Sequence, residues 1–199
     1  MIALVAGGTA AVEADLSSPK AAAKSLYRAV EASDAATVRE VFQADDAKQR
    51  ELAAAFADLL VTGKALTDAA SKKFGQAGED IGQAMVGKDE PARIDAAEEK
   101  RSGDTATLVL PGQSRPMVFQ QSGGKWRLRV MEYAGATPQN LPRQLTMLRR
   151  VTAALAESAK EIGEGRYATV DDARKAVEGK LHGVMIDILK ANPPATRPG

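Results

Sequence analysis

The residues that could do chemistry in this chain are few and scattered. Its one histidine, His182, cannot build a multi-histidine metal site. The absence of cysteine excludes thiolate nucleophiles, disulfides and cysteine-ligated zinc. Ser17 and Ser18 read as the start of a helix, not as a nucleophile, and Gly7-Gly8 lacks the lysine and spacing of a phosphate-binding loop. Four carboxylates lie near the segments with strand character: Asp95, Glu98, Glu99 and Glu132. The first three fall in the charged run KDEPARIDAAEEKRSGD and read as solvated side chains; Glu132 follows an apolar strand and reads as a rim charge. Tyr27 and Tyr133 read as core or rim tyrosines. These types and spacings assign no catalytic residue, no metal site and no cofactor.

Composition narrows the partners more than the reaction. The 199 residues carry 27 basic and 26 acidic side chains, a net charge of +1. No global field therefore attracts nucleic acid or an anionic membrane. The chain is 44% hydrophobic, but it has only one Trp, three Tyr and four Phe, and alanine supplies much of the apolar content. A core of closely packed helices with a few large anchors follows. Residues 1–14, MIALVAGGTAAVEA, contain no Lys or Arg, and Ile2–Val12 is a small-residue apolar run too short to span a bilayer. Val12-Glu13-Ala14 has the small-residue pattern of a signal cleavage site. We read this segment as the end of a secretory signal that lacks its positive start, with a packed or disordered N-terminal segment as the alternative. On the first reading the mature chain begins near Asp15 and is secreted or periplasmic, with no integral membrane span.

The elements that must position any site read in order. Ser18-Pro19 opens a helix with Leu26, Tyr27 and Val30 on its apolar face, since serine caps and proline is tolerated in the first turn. Ser33-Asp34 ends it and caps a second helix carrying Val38, Val41 and Phe42. Asp45-Asp46 starts a longer one, with Leu52, Phe56, Leu59, Leu60 and Leu66 at helical spacing and Gly75 as its stop. Asp80–Val86 reads as a short helical turn, and 92–100 as an exposed edge strand and turn. Thr105–Leu110 is a strand, and 116–121 with 125–132 form a hairpin about Gly123-Gly124. In the last strand Trp126, Leu128 and Val130 alternate with Lys125, Arg127 and Arg129, so one face is buried and Trp126 anchors it. A linker over 134–142 leads to a long helix with Leu141, Leu145, Leu148, Val151, Leu155 and Ile162 on one side. Thr169 caps a final helix carrying Ala173, Val177, Leu181, Val184, Met185 and Ile188, which ends at Asn192-Pro193-Pro194. The two helices pair antiparallel and dock on the main domain, and residues 193–199 form a flexible tail.

This order resembles the nuclear transport factor 2-like superfamily, in particular its small bacterial envelope members. The likeness rests on SLYRAVEASDAATVREVF, whose Asp34 stands in the turn between the first two helices, and on Gly124-Lys125-Trp126-Arg127-Leu128 in the last hairpin. It covers about Pro19 to Tyr133. It implies an α+β fold, with N-terminal helices packed on a curved, cone-like antiparallel sheet, followed here by a C-terminal helical pair. Domain boundaries at 15–135 and 136–192 follow from it. That fold hosts enzymes and binding modules alike; the cone-like element order and the lack of a catalytic set favour a non-catalytic binding or interaction protein, with an unknown small molecule or protein as partner and Tyr27, Trp126, Glu132 and Tyr133 as the ligand-binding candidates. It leaves open an enzyme of the ketosteroid-isomerase or polyketide-cyclase type, which needs a carboxylate base in an apolar pocket facing an oxyanion donor. It also leaves open a structural module in which the helical pair forms a homodimer.

Overall fold

The structure, a computed structural model, describes residues 13–81 and 90–191. The suspected signal up to residue 12, the helical turn expected over 82–86 and the tail from 192 lie outside the described residues. The chain is α+β: its described residues form seven α-helices and one five-stranded sheet, with a helical pair at the C-terminal end. It falls into two compact units, residues 13–43 with 90–129 and residues 44–81 with 130–191.

The first unit holds the sheet. Helix α1 (Pro19–Glu31) begins where Ser18 Oγ accepts the Ala21 N–H at 3.1 Å, with Pro19 in the first turn. Its buried face is Ala22, Ala23, Leu26, Ala29 and Val30; Tyr27 is half-buried beside it. Ser33 takes a positive φ of 56°, which turns the chain sharply enough for Asp34 to cap α2 (Ala35–Val41). Asp34 Oδ1 accepts the N–H groups of Ala36 and Thr37, and the Thr37 hydroxyl donates to Oδ2 at 2.7 Å. The chain then enters β1 (Phe42–Gln43), which pairs parallel with β5 (Lys125–Arg129). Strands β2 (Glu98–Ser102), β3 (Thr105–Val109), β4 (Met117–Ser122) and β5 form an antiparallel meander, in the order β1-β5-β4-β3-β2. The sheet is therefore mixed at one edge, not wholly antiparallel.

The period-two reading of the strands decides which face is covered. Ala106, Leu108, Phe119, Trp126 and Leu128 are buried, and α1 packs across β3 and β5. Register puts Phe119 between Ala106 and Leu128. Trp126 is 3% exposed; its backbone N–H donates to the Leu16 carbonyl at 2.8 Å, and the Arg101 guanidinium lies 5.4 Å from its ring centroid. The Gly123-Gly124 turn has positive φ at both positions, the geometry that matches strand twist in a two-residue hairpin.

Two local expectations are corrected. The charged segment before the sheet is not strand from Ala92: Glu90–Asp95 is helix α4, held by an Arg93–Glu90 pair at 2.8 Å with Ile94 buried, and the edge strand starts only at Glu98. The last strand stops at Arg129 and does not reach Glu132. Val130–Ala134 is the one-turn helix α5, closed by Ala136 N–H to the Met131 carbonyl at 2.8 Å. Burial of Val130 needs only its side chain inward, which a helical turn provides as well as a strand does.

The second unit is helical. Helix α3 (Ala47–Phe74) starts with a reciprocal cap: Asp46 Oδ1 accepts the Gln49 N–H at 2.8 Å, and Gln49 Oε1 accepts the Asp45 N–H at 3.1 Å. It ends at Gly75, φ 63°, followed by a 3-10 turn over Gly75–Gly78. Helix α6 (Leu141–Gly163) packs along α3, and α7 (Val170–Ala191) packs back on α6. Thr169 Oγ1 accepts the Asp172 N–H at 3.1 Å, the cap expected for α7. On α5 the Tyr133 ring meets Phe56 of α3 edge-on, centroids 5.6 Å apart.

Because Trp126 is buried on the sheet's covered face, Trp126→Ala should lower unfolding free energy by about 3–5 kcal/mol. Urea denaturation should read this as a lower midpoint at unchanged slope.

Candidate functional site: an apolar cleft between helices

Between α3, α6 and α7 the helical unit leaves an apolar cleft of about 300 Å³. Its walls are Gly63 and Leu66 of α3, Ile81 after the 3-10 turn, Val151 and Leu155 of α6, and Val177 and Leu181 of α7. Leu66, Ile81, Leu155 and Val177 are buried, while Val151 and Leu181 are half-buried at the opening. Gly63 contributes no side chain to its wall. Three of these positions follow from helical periodicity: Leu66, Leu155 and Val177 sit on the apolar stripes of their helices. Polar groups stand only at the mouth, where Asp80, Arg174 and Glu178 line it. Arg174 donates to Asp171 Oδ1 at 3.2 Å, one turn back on α7. A concave apolar surface of this volume, edged by a few charges, is at the small end of small-molecule sites.

The α6–α7 connection is held by an ion cluster that the sequence reading did not find. Glu161, whose side chain is 9% exposed, accepts from the Tyr167 hydroxyl at 2.5 Å, from Lys180 Nζ at 2.6 Å and from Arg166 at 2.8 Å. Lys180 also pairs with Glu157 at 3.0 Å. The Lys180 and Tyr167 hydrogen bonds hold the Glu161 carboxyl below its ordinary pKa, against the opposing effect of burial. Burial acts to lower the Lys180 pKa, but its bonds to Glu161 and Glu157 outweigh that and raise it. The Glu161 bond raises Tyr167. All three groups keep their neutral-pH protonation state, so the cluster is a clamp and supplies no poised acid or base. The spacing that could have revealed it is Glu157-Glu161 on one face of α6, opposite Lys180.

The residues singled out from the sequence are distributed as follows. Tyr27 is half-buried on α1 and Trp126 is buried in β5, both in the sheet unit. Glu132 and Tyr133 are neighbours on α5 in the helical unit, both half-buried. None of the four lines the cleft. Asp95 is exposed and paired with Lys24 at 2.5 Å, and Glu98 is exposed and paired with Lys100 at 3.0 Å. Glu99 is half-buried and paired with Arg101. Asp95 and Glu98 are therefore solvated carboxylates, not bases held in an apolar pocket. His182 is exposed on α7. Among the described residues, no group of three or more His, Asp or Glu side chains is arranged to hold a metal ion, and no helix is long and apolar enough to cross a membrane. Comparison with protein-family models, curated proteins and solved structures finds no significant match.

The depressed carboxyl of Glu161 makes the clamp sensitive to acid. Its contribution to stability is present above its ordinary pKa of 4.5 and is lost as the pH falls through the lower folded value. Glu161→Gln should therefore lower the melting temperature at pH 7 and show a smaller further loss than the parent protein on acidification below pH 4.5. Thermal melts by circular dichroism from pH 7 to pH 2.5, about the range carboxylates titrate, check this; parallel curves would refute the assigned role.

Proposed function

We propose that this chain is an exported, non-catalytic binding protein of the nuclear transport factor 2-like kind, and that it holds a small, largely apolar molecule in the cleft between α3, α6 and α7. The observation that carries the binding reading is the cleft itself, about 300 Å³ in volume with apolar walls and charges confined to its mouth. Burying a ligand's apolar surface there removes it from water at roughly 25 cal/mol per Å² before the costs of association. Support for the family comes from the capped helix pair at Ser33-Asp34, which leads into a sheet closed by the Gly124-Lys125-Trp126 hairpin. Support for export comes from the apolar, small-residue run ahead of Ala14.

Native mass spectrometry of the protein as purified should show an added mass that disappears in Val151→Phe. That substitution fills the mouth from a half-buried position, so circular dichroism should remain unchanged. Protein without added mass would be titrated with 3-phenylpropan-1-ol, a neutral apolar probe, followed by amide chemical shifts. Shifts confined to residues of the cleft support the reading; no shifts, or the same response in Val151→Phe, refute it. Export is checked separately: with a complete leader, N-terminal sequencing of the secreted chain should begin near Asp15, and an intact Met1 would count against a cleaved signal.

A further inference from the structure

The charges at the cleft mouth are not balanced, and this bears on what enters. Asp80 and Glu178 are both exposed and both line the opening, and neither makes an ion pair among the described residues. They come from different elements, Asp80 from the segment after the 3-10 turn and Glu178 from α7. Among the described residues the only cation lining the cleft is Arg174, and its guanidinium is engaged by Asp171 at 3.2 Å. Among the described residues the lining carries two carboxylates and one guanidinium, a formal net charge of −1, and Asp171, the partner of Arg174, offsets that one cation. Behind the edge the walls are entirely aliphatic, with no further hydrogen-bonding side chain among Leu66, Ile81, Val151, Leu155, Val177 and Leu181.

We propose that the cleft selects small cationic amphiphiles: molecules with an apolar body that fits between α3, α6 and α7, and an ammonium group that stays at the mouth between Asp80 and Glu178. The proposal rests on the cleft being a binding site and deepens it by naming the ligand class. A carboxylate-bearing molecule of the same body is disfavoured. Its head would meet two unpaired acids, and its one available donor, Arg174, would have to leave Asp171. A neutral head gains nothing from the mouth and binds through the apolar walls alone. The two acids are exposed, so each acts like a surface charge: its effect is modest and is screened by salt.

Three probes sharing one body separate these terms: 3-phenylpropan-1-amine, 3-phenylpropan-1-ol and 3-phenylpropanoate, titrated against the full chain by amide chemical shifts at low and high salt. The amine should bind about 3- to 10-fold tighter than the alcohol at low ionic strength, and the carboxylate weaker than the alcohol. The amine's advantage should shrink at 0.5 M salt, where the screening length falls to roughly 4–5 Å. In the double variant Asp80→Asn, Glu178→Gln the amine and the alcohol should bind alike while the alcohol's affinity stays at its original value. Equal affinities in the parent protein overturn the proposal and leave the cleft as a neutral apolar site. A carboxylate that binds tightest overturns it in favour of Arg174. If none of the three binds, the cleft reading itself fails and the proposal with it.

Discussion

The helical unit depends on the seam between α3 and α6, which pack along each other and bury leucines from both helices. Beside that seam Ala54 and Ala55 of α3 and Ala153 and Ala156 of α6 line an open groove, with Ala153 and Ala156 exposed to solvent. Leucines at helical spacing form the apolar stripe that each helix withdraws from water. Leu52, Leu59 and Leu66 on α3 and Leu145, Leu148 and Leu155 on α6 are all buried. At the rim Arg149 and Glu51 pair across the same seam, an exposed contact that adds specificity more than stability. With α3 committed to α6, the helix lies in the all-helical unit although it is embedded in sequence between the elements of the sheet unit.

The cleft is a consequence of that packing. Along α3 the cleft is walled by Gly63 and Leu66, and α6 contributes Val151 and Leu155. A glycine there contributes no side chain to the wall, so the space flanked by Val177 and Leu181 of α7 is left open. Beside the buried Ala173, Val177 and Ile188, polar contacts hold α7: Lys180 reaches Glu161 and Glu157 on α6, and Tyr167 and Arg166 tie the connecting turn to the same Glu161 carboxylate. A nearly buried carboxylate is tolerable only because three donors satisfy it, and the same three donors define how α7 registers against α6.

Much of the secondary structure was legible because it is governed by neighbours in sequence. Ser18, Asp34, Asp46 and Thr169 cap the helices that follow them, and Gly75 ends α3. The Gly123-Gly124 turn and the alternation at Trp126 and Leu128 mark a hairpin with one buried face. The errors fell where local signals are weak. Segment 90–95 is helical through one Glu90–Arg93 pair and the burial of Ile94, in a stretch whose charge suggested an edge strand. Val130–Ala134 continues the inward alternation of β5 for one residue and then coils, because the demand that Val130 be buried does not specify a strand. The parallel partner β1 is two residues long, too short for any period to show.

The sequence by itself determined the α+β class, the caps and stops of the helices, the sheet anchor and the pairing of the last two helices, because hydrogen-bonding caps, turn glycines and hydrophobic periodicity act over a few residues. It also limited the chemistry to what a chain without cysteine and with one histidine can do. Only the tertiary structure decided that α3 packs on α6, that a cleft opens beside Gly63, and that Glu161, Tyr167 and Lys180 converge. Those facts depend on which apolar stripe meets which, and an amphipathic helix advertises that it has a face to bury without naming the surface that will cover it. For the same reason Leu66, Leu155 and Val177 were visible as core positions but not as the walls of one cavity.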